Sequence, residues 1–292
     1  MAPTSVTVGL VQMAMHPDKT RNIDTARRGI ADAARRGARI VCLPELFASP
    51  YFCQVQDPAN FDLAEPVPGP TSEAIAKAAK EHGVVVITPV FEKRATGLYH
   101  NSLVVHGAGG EALGMYRKMH IPDDPLFYEK YYFTPGDLGF VTVATPHAAI
   151  GPLICWDQWY PEAARLTALA GAQIIFYPTA IGWHPSEKAE FGAAQLAAWI
   201  TIQRSHAIAN GVFVVAVNRV GHEGPKDGGL DFWGHSFVAD PFGVVLAEAG
   251  QGEETLVVEL DLTRLEVVRR NWPFFRDRRI DAYQGLTSRH IG

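Results

Sequence analysis

The chain has 292 residues, of which 47% are hydrophobic and 20% are charged, and its formal net charge is −5. This composition is typical of a globular protein rather than a disordered one, and the negative charge gives no electrostatic attraction for nucleic acid. The longest apolar runs, such as 83–91, are too short to span a bilayer, and the first residues lack the pattern of a signal peptide. We therefore expect neither nucleic acid nor a membrane as a partner.

Cysteine, histidine and glycine patterns limit the chemistry that the chain can use. The three cysteines, Cys42, Cys53 and Cys155, form no paired framework, which fits a reducing compartment, and we expect the cytoplasm. The 11 histidines are scattered, and the sequence has no C-x-x-C, no H-E-x-x-H and no glycine-rich phosphate loop. We expect no metal and no cofactor, so any chemistry would fall to side chains alone.

The first half of the chain predicts alternating strands and helices. Helices are expected near 22–36 and at 71–83, the second ending at Gly83. Polar residues suited to capping stand at their starts: Thr20 or Asn22, and Thr71 or Ser72. Apolar runs predict strands at 6–13, 38–45, 84–91, 99–106, 112–118, 140–145 and 149–155. A loop rich in proline and aromatic residues covers 121–140.

The second half repeats this alternation. A helix near 161–170 leads to a strand at 172–178, and a longer helix near 189–210 leads to a strand at 211–218. The remaining apolar runs predict a hairpin of 232–240 with 244–250 and a last strand at 255–261. So many strands favour an α/β fold in which two mixed sheets pack face to face with helices outside. No linker divides the chain, so residues 1–292 are predicted to form a single domain.

Three predicted strands deliver a polar side chain at the carboxyl end. Glu45 follows the strand at 38–43, Lys118 follows the strand at 112–116, and Cys155 follows the strand at 149–154. Ligand sites of α/β sheets lie at the carboxyl ends of strands, and a carboxylate, an ammonium and a thiol are together suited to acyl transfer. Each residue alone also fits a simpler role, as a solvated acid, a surface lysine or a small core residue. The pattern does not show that the three lie close together.

Longer motifs carry a family resemblance. Three segments resemble the signature segments of the nitrilase superfamily of carbon–nitrogen hydrolases: LPELFASPYF (43–52), YRKMHIPDDP (116–125) and CWDQWYPEAAR (155–165). Three more are similar to the branch that acts on N-carbamoylputrescine: FYEKYYFTPGD (127–137), YPTAIGW (177–183) and FRDRRIDAY (275–283). The resemblance covers nearly the whole chain in order, and it implies an α-β-β-α sandwich.

The resemblance also implies roles for individual residues. Cys155 would be the nucleophile, Glu45 the general base and Lys118 the stabiliser of the oxyanion, together with the backbone N–H of Trp156. Glu129 would orient the lysine and share in proton transfer. A nearby lysine is expected to lower the pKa of the thiol.

The same resemblance implies a substrate and an assembly. We expect hydrolysis of N-carbamoylputrescine to putrescine, ammonia and CO2 through a carbamoyl-enzyme, as in polyamine synthesis. The alternatives are another N-carbamoyl compound, such as N-carbamoyl-β-alanine, an aliphatic amide, or a catalytically silent binding protein. A homo-oligomer built on a dimer is expected, with the aromatic and basic segment 271–292 as a contact tail.

The substrate-binding residues are predicted from the aromatic and polar side chains of these motifs: Tyr51, Asp123, Phe127, Trp156, Trp183 and His184. Tyr51 and Asp123 stand where the family contacts its substrate. Related sequences tend to carry an acid shortly after YPTAIG, and this chain has His184 there. Asp123, Glu187 and Glu190 remain as acids that could bind a distal ammonium.

Overall fold

A computed structural model describes residues 3–226 and 228–292. The strands are β1 (Ser5–Gln12), β2 (Ile40–Cys42), β3 (Val85–Ala95), β4 (Leu98–His106), β5 (Ala112–Arg117), β6 (Val143–Ala144), β7 (Ala149–Pro152), β8 (Ile174–Pro178), β9 (Gly182–Trp183), β10 (Phe213–Val217), β11 (Val220–Glu223), β12 (Leu230–Trp233), β13 (Phe237–Ala239), β14 (Val245–Glu248) and β15 (Glu254–Asp261). The helices are α1 (Lys19–Arg35), α2 (Pro70–His82), α3 (Glu129–Tyr132), α4 (Pro161–Leu169), α5 (Pro185–Asn210) and α6 (Thr263–Asn271).

Two mixed sheets of six strands form the centre of the molecule. The first has the order β15-β1-β2-β3-β4-β5, and the second has the order β14-β13-β10-β8-β7-β6. In the first sheet β1, β2 and β3 are parallel, and β5 runs the same way because β4 is antiparallel to both β3 and β5. In the second sheet β7, β8 and β10 are parallel. Each sheet therefore gathers several carboxyl strand ends at one edge.

Apolar side chains of both sheets meet in one core. Val8 and Ile87 of the first sheet belong to the same buried cluster as Ile150, Ile174 and Val214 of the second. Each fully buried aliphatic side chain of this size contributes about 1.5–3 kcal/mol. Helices α1 and α2 cover the outer face of the first sheet, and α4 and α5 cover the second. The predicted layering of two sheets between helices is confirmed.

The starts of the first two helices differ from their predicted caps. Helix α1 begins at Lys19, and its N-cap is Asp18, which accepts a hydrogen bond from the Thr20 backbone N–H. The side-chain amide of Asn22 does not cap the helix; it donates hydrogen bonds to the His16 and Ala48 carbonyls. Helix α2 begins at Pro70 after Gly69, so the predicted threonine and serine lie inside its first turn. Gly83 ends the helix as predicted, in the left-handed region with φ +63°.

The predicted strand at 232–240 is two strands. The chain turns at Gly234 and His235, with φ of +65° and +53°. After this turn β13 forms the predicted hairpin with β14, whereas β12 pairs with β11 and β9 in a small third sheet. A short apolar run does not reveal which neighbour a strand pairs with, so the third sheet was not predicted.

Two helices also lie outside the predictions, α3 within the loop at 121–140 and α6 before the C-terminal segment. That segment is largely exposed, with 51% of Trp272 and 71% of Ile280 accessible to solvent. Among residues 3–226 and 228–292, no helix is long and apolar enough to cross a membrane.

Candidate active site

Three strand ends converge at the edge where the two sheets meet. Glu45 follows β2, Lys118 directly follows β5, and Cys155 follows β7. Glu45 and Lys118 are fully buried, and 5% of Cys155 is exposed. The Lys118 ammonium donates a hydrogen bond of 2.7 Å to Glu45 Oε1. Glu45 and Lys118 are thus in contact, and Cys155 is close enough for both of their charges to act on its thiol.

A second carboxylate completes the buried charge cluster. Helix α3 places Glu129 so that its Oε2 accepts a 2.6 Å hydrogen bond from the Lys118 ammonium. Its Oε1 accepts a 2.6 Å hydrogen bond from the Tyr51 hydroxyl. Glu45 Oε1 also accepts from the Asn101 amide at 2.8 Å, whereas its buried Oε2 has no hydrogen-bond partner among the described residues. That oxygen is free to take a proton.

Cys155 stands on a sharp turn between β7 and a 3₁₀ segment, Cys155–Trp159. Its φ is +40°, a conformation that costs a non-glycine residue energy and is found at functional sites. The fully buried Asp157 holds this turn by accepting from the Ile154 N–H at 3.0 Å and from the Tyr116 hydroxyl at 2.8 Å. Asp157 also accepts from His120, which joins the cysteine turn to the chain that follows Lys118.

Burial and charge act against each other on the lysine and its neighbours. Burial alone would lower the pKa of Lys118, but the charges of Glu129 and Glu45 outweigh it and raise that pKa well above its usual value. The lysine is therefore held protonated. Burial raises the pKa of Glu129, the Lys118 charge lowers it, and the Glu45 charge raises it again, with a net rise.

The thiol of Cys155 does not follow the expected direction. Burial and the charge of Glu45 raise its pKa well above its usual value, and the opposing effect of Lys118 is too small to reverse the rise. The lysine lowers the pKa as expected, and the net rise comes from burial and Glu45, which the sequence did not reveal. Cys155 rests as a neutral thiol and needs a base to remove its proton on attack.

A cavity of about 450 Å³ opens onto Cys155. It is lined largely by apolar and aromatic side chains, and its acids are Asp124, Glu129 and Glu187. None of the described residues that line it is a lysine or an arginine. Since Glu129 is paired with Lys118, Asp124 and Glu187 are the acids left to meet a ligand.

The predicted substrate-binding residues fall into two groups. Phe127, Trp156 and His184 line the cavity. Tyr51, Asp123 and Trp183 are not among its lining residues: Asp123 is exposed, the Tyr51 hydroxyl donates to Glu129, and the indole of Trp183 donates to the Gly192 carbonyl. Of the further acids considered, Glu187 lies on the wall, and Glu190 does not.

Several side chains that hold the site were missed from the sequence. Asn218 and Arg219 follow β10, so the strand-end rule could have found them. Asn218 accepts from the Ile181 N–H at 3.1 Å and donates to the Ile181 carbonyl at 2.9 Å, which fixes one wall of the cavity. Asn101 and Asp157 gave no such signal, because a single polar residue in a buried run does not show what it contacts. Within the described parts of the chain, no group of three or more His, Cys, Asp or Glu is placed to hold a metal ion.

Known proteins resemble this chain in sequence and in fold. Residues 7–270 match the family model described as carbon-nitrogen hydrolase. The chain is 45% identical over 289 residues to the N-carbamoylputrescine amidase of Solanum lycopersicum, covering 96% of this chain and 94% of that protein. It is 36% identical over 288 residues to the citrullinase of Francisella tularensis, covering 98% and 99%. A carbon–nitrogen hydrolase structure from Helicobacter pylori G27 is 47% identical, with a TM-score of 0.95 and coverage of 98% of this chain and 100% of that one.

Proposed function

The chain belongs to the carbon–nitrogen hydrolase family and is a hydrolase acting on amides, and from that premise we propose that it hydrolyses N-carbamoylputrescine. The products would be putrescine, ammonia and CO2, which gives the enzyme a place in polyamine synthesis. The observation that supports this substrate is the charge of the cavity. Its described lining residues include the acids Asp124 and Glu187, and none of them is a lysine or an arginine.

The charge of the cavity favours a cationic distal group. Aromatic walls such as Trp156, Trp159 and Trp233 can contact a methylene chain, and an ammonium over such a ring gains about 0.5–2 kcal/mol. A distal carboxylate would instead meet Asp124 and Glu187 with no cation from the wall to offset them. The names of the plant amidase and the citrullinase both support a ureido group at the reacting end.

Attack begins from a neutral thiol. Glu45 takes the thiol proton on its unpaired Oε2 as Cys155 Sγ bonds to the carbamoyl carbon. The oxyanion that forms is stabilised by the Lys118 ammonium and by the backbone N–H of Trp156. Trp156 lies in the first turn of a 3₁₀ segment, where N–H groups lack an acceptor within the turn. Removing one such donor typically costs about 10²–10³-fold in rate.

The leaving nitrogen departs with the proton held by Glu45, and a carbamoyl thioester remains on Cys155. Water then attacks this thioester, and Glu45 takes the water proton and returns it to the thiolate. The carbamic acid that is released loses CO2 and gives the second amine, which is ammonia if putrescine left first and putrescine if ammonia left first. Glu129 keeps Lys118 in place throughout, because the ammonium donates one hydrogen bond to each glutamate and retains a third proton for the oxyanion.

The cytoplasm and a homo-oligomer remain parts of the same proposal, in line with the three free thiols and the exposed C-terminal segment.

The test compares kcat/KM for N-carbamoylputrescine, N-carbamoyl-β-alanine and citrulline by ammonia release. We expect the first substrate to be preferred at least about tenfold over the second, which corresponds to about 1.4 kcal/mol. Asp124→Asn and Glu187→Gln should erode this preference, and Glu190→Gln, outside the cavity, serves as the control. Equal rates, or preference for the acid, would contradict the assignment of a cationic substrate.

A further inference from the structure

A fully buried arginine contacts the main chain of the proposed base. Arg219 follows β10, and its guanidinium donates to the Glu45 carbonyl at 2.6 Å and to the Leu46 carbonyl at 3.1 Å. It reaches the Ser49 carbonyl at 3.3 Å as well. Leu46 has φ +49°, so the turn after Glu45 is in a conformation that a leucine does not favour. The arginine donates to backbone carbonyls of this turn, of which the Leu46 carbonyl also accepts from the Ser49 N–H at 3.3 Å.

Glu223 extends the contact to the other end of the same segment. It pairs with the Arg219 guanidinium at 3.0 Å and accepts a hydrogen bond of 2.5 Å from the Tyr51 backbone N–H. The Tyr51 hydroxyl donates to Glu129, which in turn accepts from Lys118. The ion pair therefore holds residues 45–51 at both ends, beside Glu45 and beside the tyrosine that orients Glu129.

Buried ion pairs are weak stabilisers on balance. One that only supported the fold would have no reason to contact the residues of the active site in particular. This pair differs in what it contacts, because its hydrogen bonds go to the residues that carry or orient both proposed carboxylates. Glu223 also lies in β11, and the same small sheet supplies Gly182 and Trp233 to the cavity wall. The small sheet that contains Glu223 therefore contributes both to the position of the proposed base and to the wall of the cavity.

We propose that Arg219 and Glu223 are positioning residues for this hydrolysis, Arg219 acting on Glu45 and Glu223 acting through Tyr51 on Glu129. The inference rests on the proposed function, from which it takes the roles of the two glutamates. A misplacement of about 1 Å at a reacting group can cost about 10²-fold in rate without weakening substrate binding. Loss of the pair should therefore lower kcat much more than it changes KM.

The pH profile supplies a readout that a loss of folding stability alone would not move. Glu129 faces the charges of Lys118 and Glu45, the Tyr51 hydroxyl, and the thiols of Cys53 and Cys155. The hydrogen bond from Tyr51 lowers the pKa of Glu129. Removing the tyrosine hydroxyl should raise that pKa. As the pH falls, Glu129 would then be protonated, and activity lost, at a higher pH than in the unmodified enzyme.

The experiment compares Arg219→Lys and Glu223→Gln with Arg269→Gln as a matched control. Arg269 also donates to two backbone carbonyls, those of Gly211 and Ala172, away from the cavity. We expect the first two variants to lose about 10–100-fold in kcat with KM within about threefold, and the control to keep its kcat even if its melting temperature falls equally. The acid limb of kcat/KM should move to higher pH in Glu223→Gln.

Tyr51→Phe keeps the test decisive if Arg219→Lys does not fold. It should show the same shift of the acid limb, and adding Glu223→Gln to it should shift the limb no further. Unchanged kcat in folded Glu223→Gln, or a further shift in the double variant, would overturn the positioning role. Rates are taken on the best of the three ureido substrates, so a wrong substrate assignment changes only which compound is used. Absence of turnover of all three by the unmodified enzyme would overturn the proposed function itself.

Discussion

Glu45→Gln separates the two effects of the glutamate on the thiol. The amide has the shape of the carboxylate, and its oxygen can still accept from Lys118 and Asn101, which bond to Oε1 at 2.7 and 2.8 Å. Its nitrogen would occupy the place of the unpaired Oε2, where a donor replaces the proton acceptor. The hydrogen bonds that hold the site are retained, and the base is lost.

Turnover and thiol reactivity should move in opposite directions. General-base catalysis is worth about 10²–10⁴-fold, so kcat should fall by that factor, about 2.7–5.4 kcal/mol at 1.36 kcal/mol per tenfold. The charge of Glu45 raises the pKa of Cys155, so its removal should lower that pKa and increase the thiolate fraction at neutral pH. Alkylation of Cys155 by iodoacetamide should then become faster.

Ammonia release measures turnover, and peptide mass spectrometry after timed alkylation measures the reactivity of Cys155 against that of the buried Cys42 and Cys53. Asp240→Asn is the control, because Asp240 is a buried carboxylate outside the cavity lining that accepts from the Phe242 and Val244 N–H groups. It should cost stability and leave kcat unchanged. Retention of kcat within tenfold by Glu45→Gln, or slower alkylation, would refute this account of the base.

Two predictions concern the rest of the molecule. Burial lowers the pKa of His106 from 6.5 to about 4, so the folded state binds fewer protons than the unfolded chain between these values. The free energy of unfolding should fall as the pH drops through this window, and His106→Gln should flatten the fall, whereas the exposed His290→Gln should not. Light scattering at micromolar concentration should find a dimer or larger assembly, given the exposed Trp272 and Ile280, and a monomer would contradict the proposed oligomer.

The sequence predicted the parts of this fold that depend on local periodicity. Strands such as β1 and β8 and helices such as α5 follow from apolar runs and helical spacing, and the strand-end rule selected Glu45, Lys118 and Cys155 from the chain. The pairing of β12 with β9 and β11 could not be predicted, because it depends on a turn at Gly234 that no repeat reveals.

Positions of side chains were harder to predict than positions of elements. Tyr51 was predicted as a substrate contact, and the hydrogen bond from its hydroxyl to Glu129 within the buried cluster was not predicted. The effect of Lys118 on the thiol pKa was predicted, but the net rise was not, because the sequence shows neither the burial of Cys155 nor the two carboxylates beside the single lysine. Burial and the sum of nearby charges become visible only once the chain is folded.

The central claim, a carbamoyl thioester on Cys155, is tested most directly by acid-quenching the enzyme during turnover of N-carbamoylputrescine and mapping the adduct by mass spectrometry. The account predicts a carbamoyl or N-substituted carbamoyl group on the peptide that contains Cys155, and neither adduct nor ammonia release in a folded Cys155→Ala variant. Turnover that continues in Cys155→Ala, or an adduct confined to Cys53 or another residue, would contradict it.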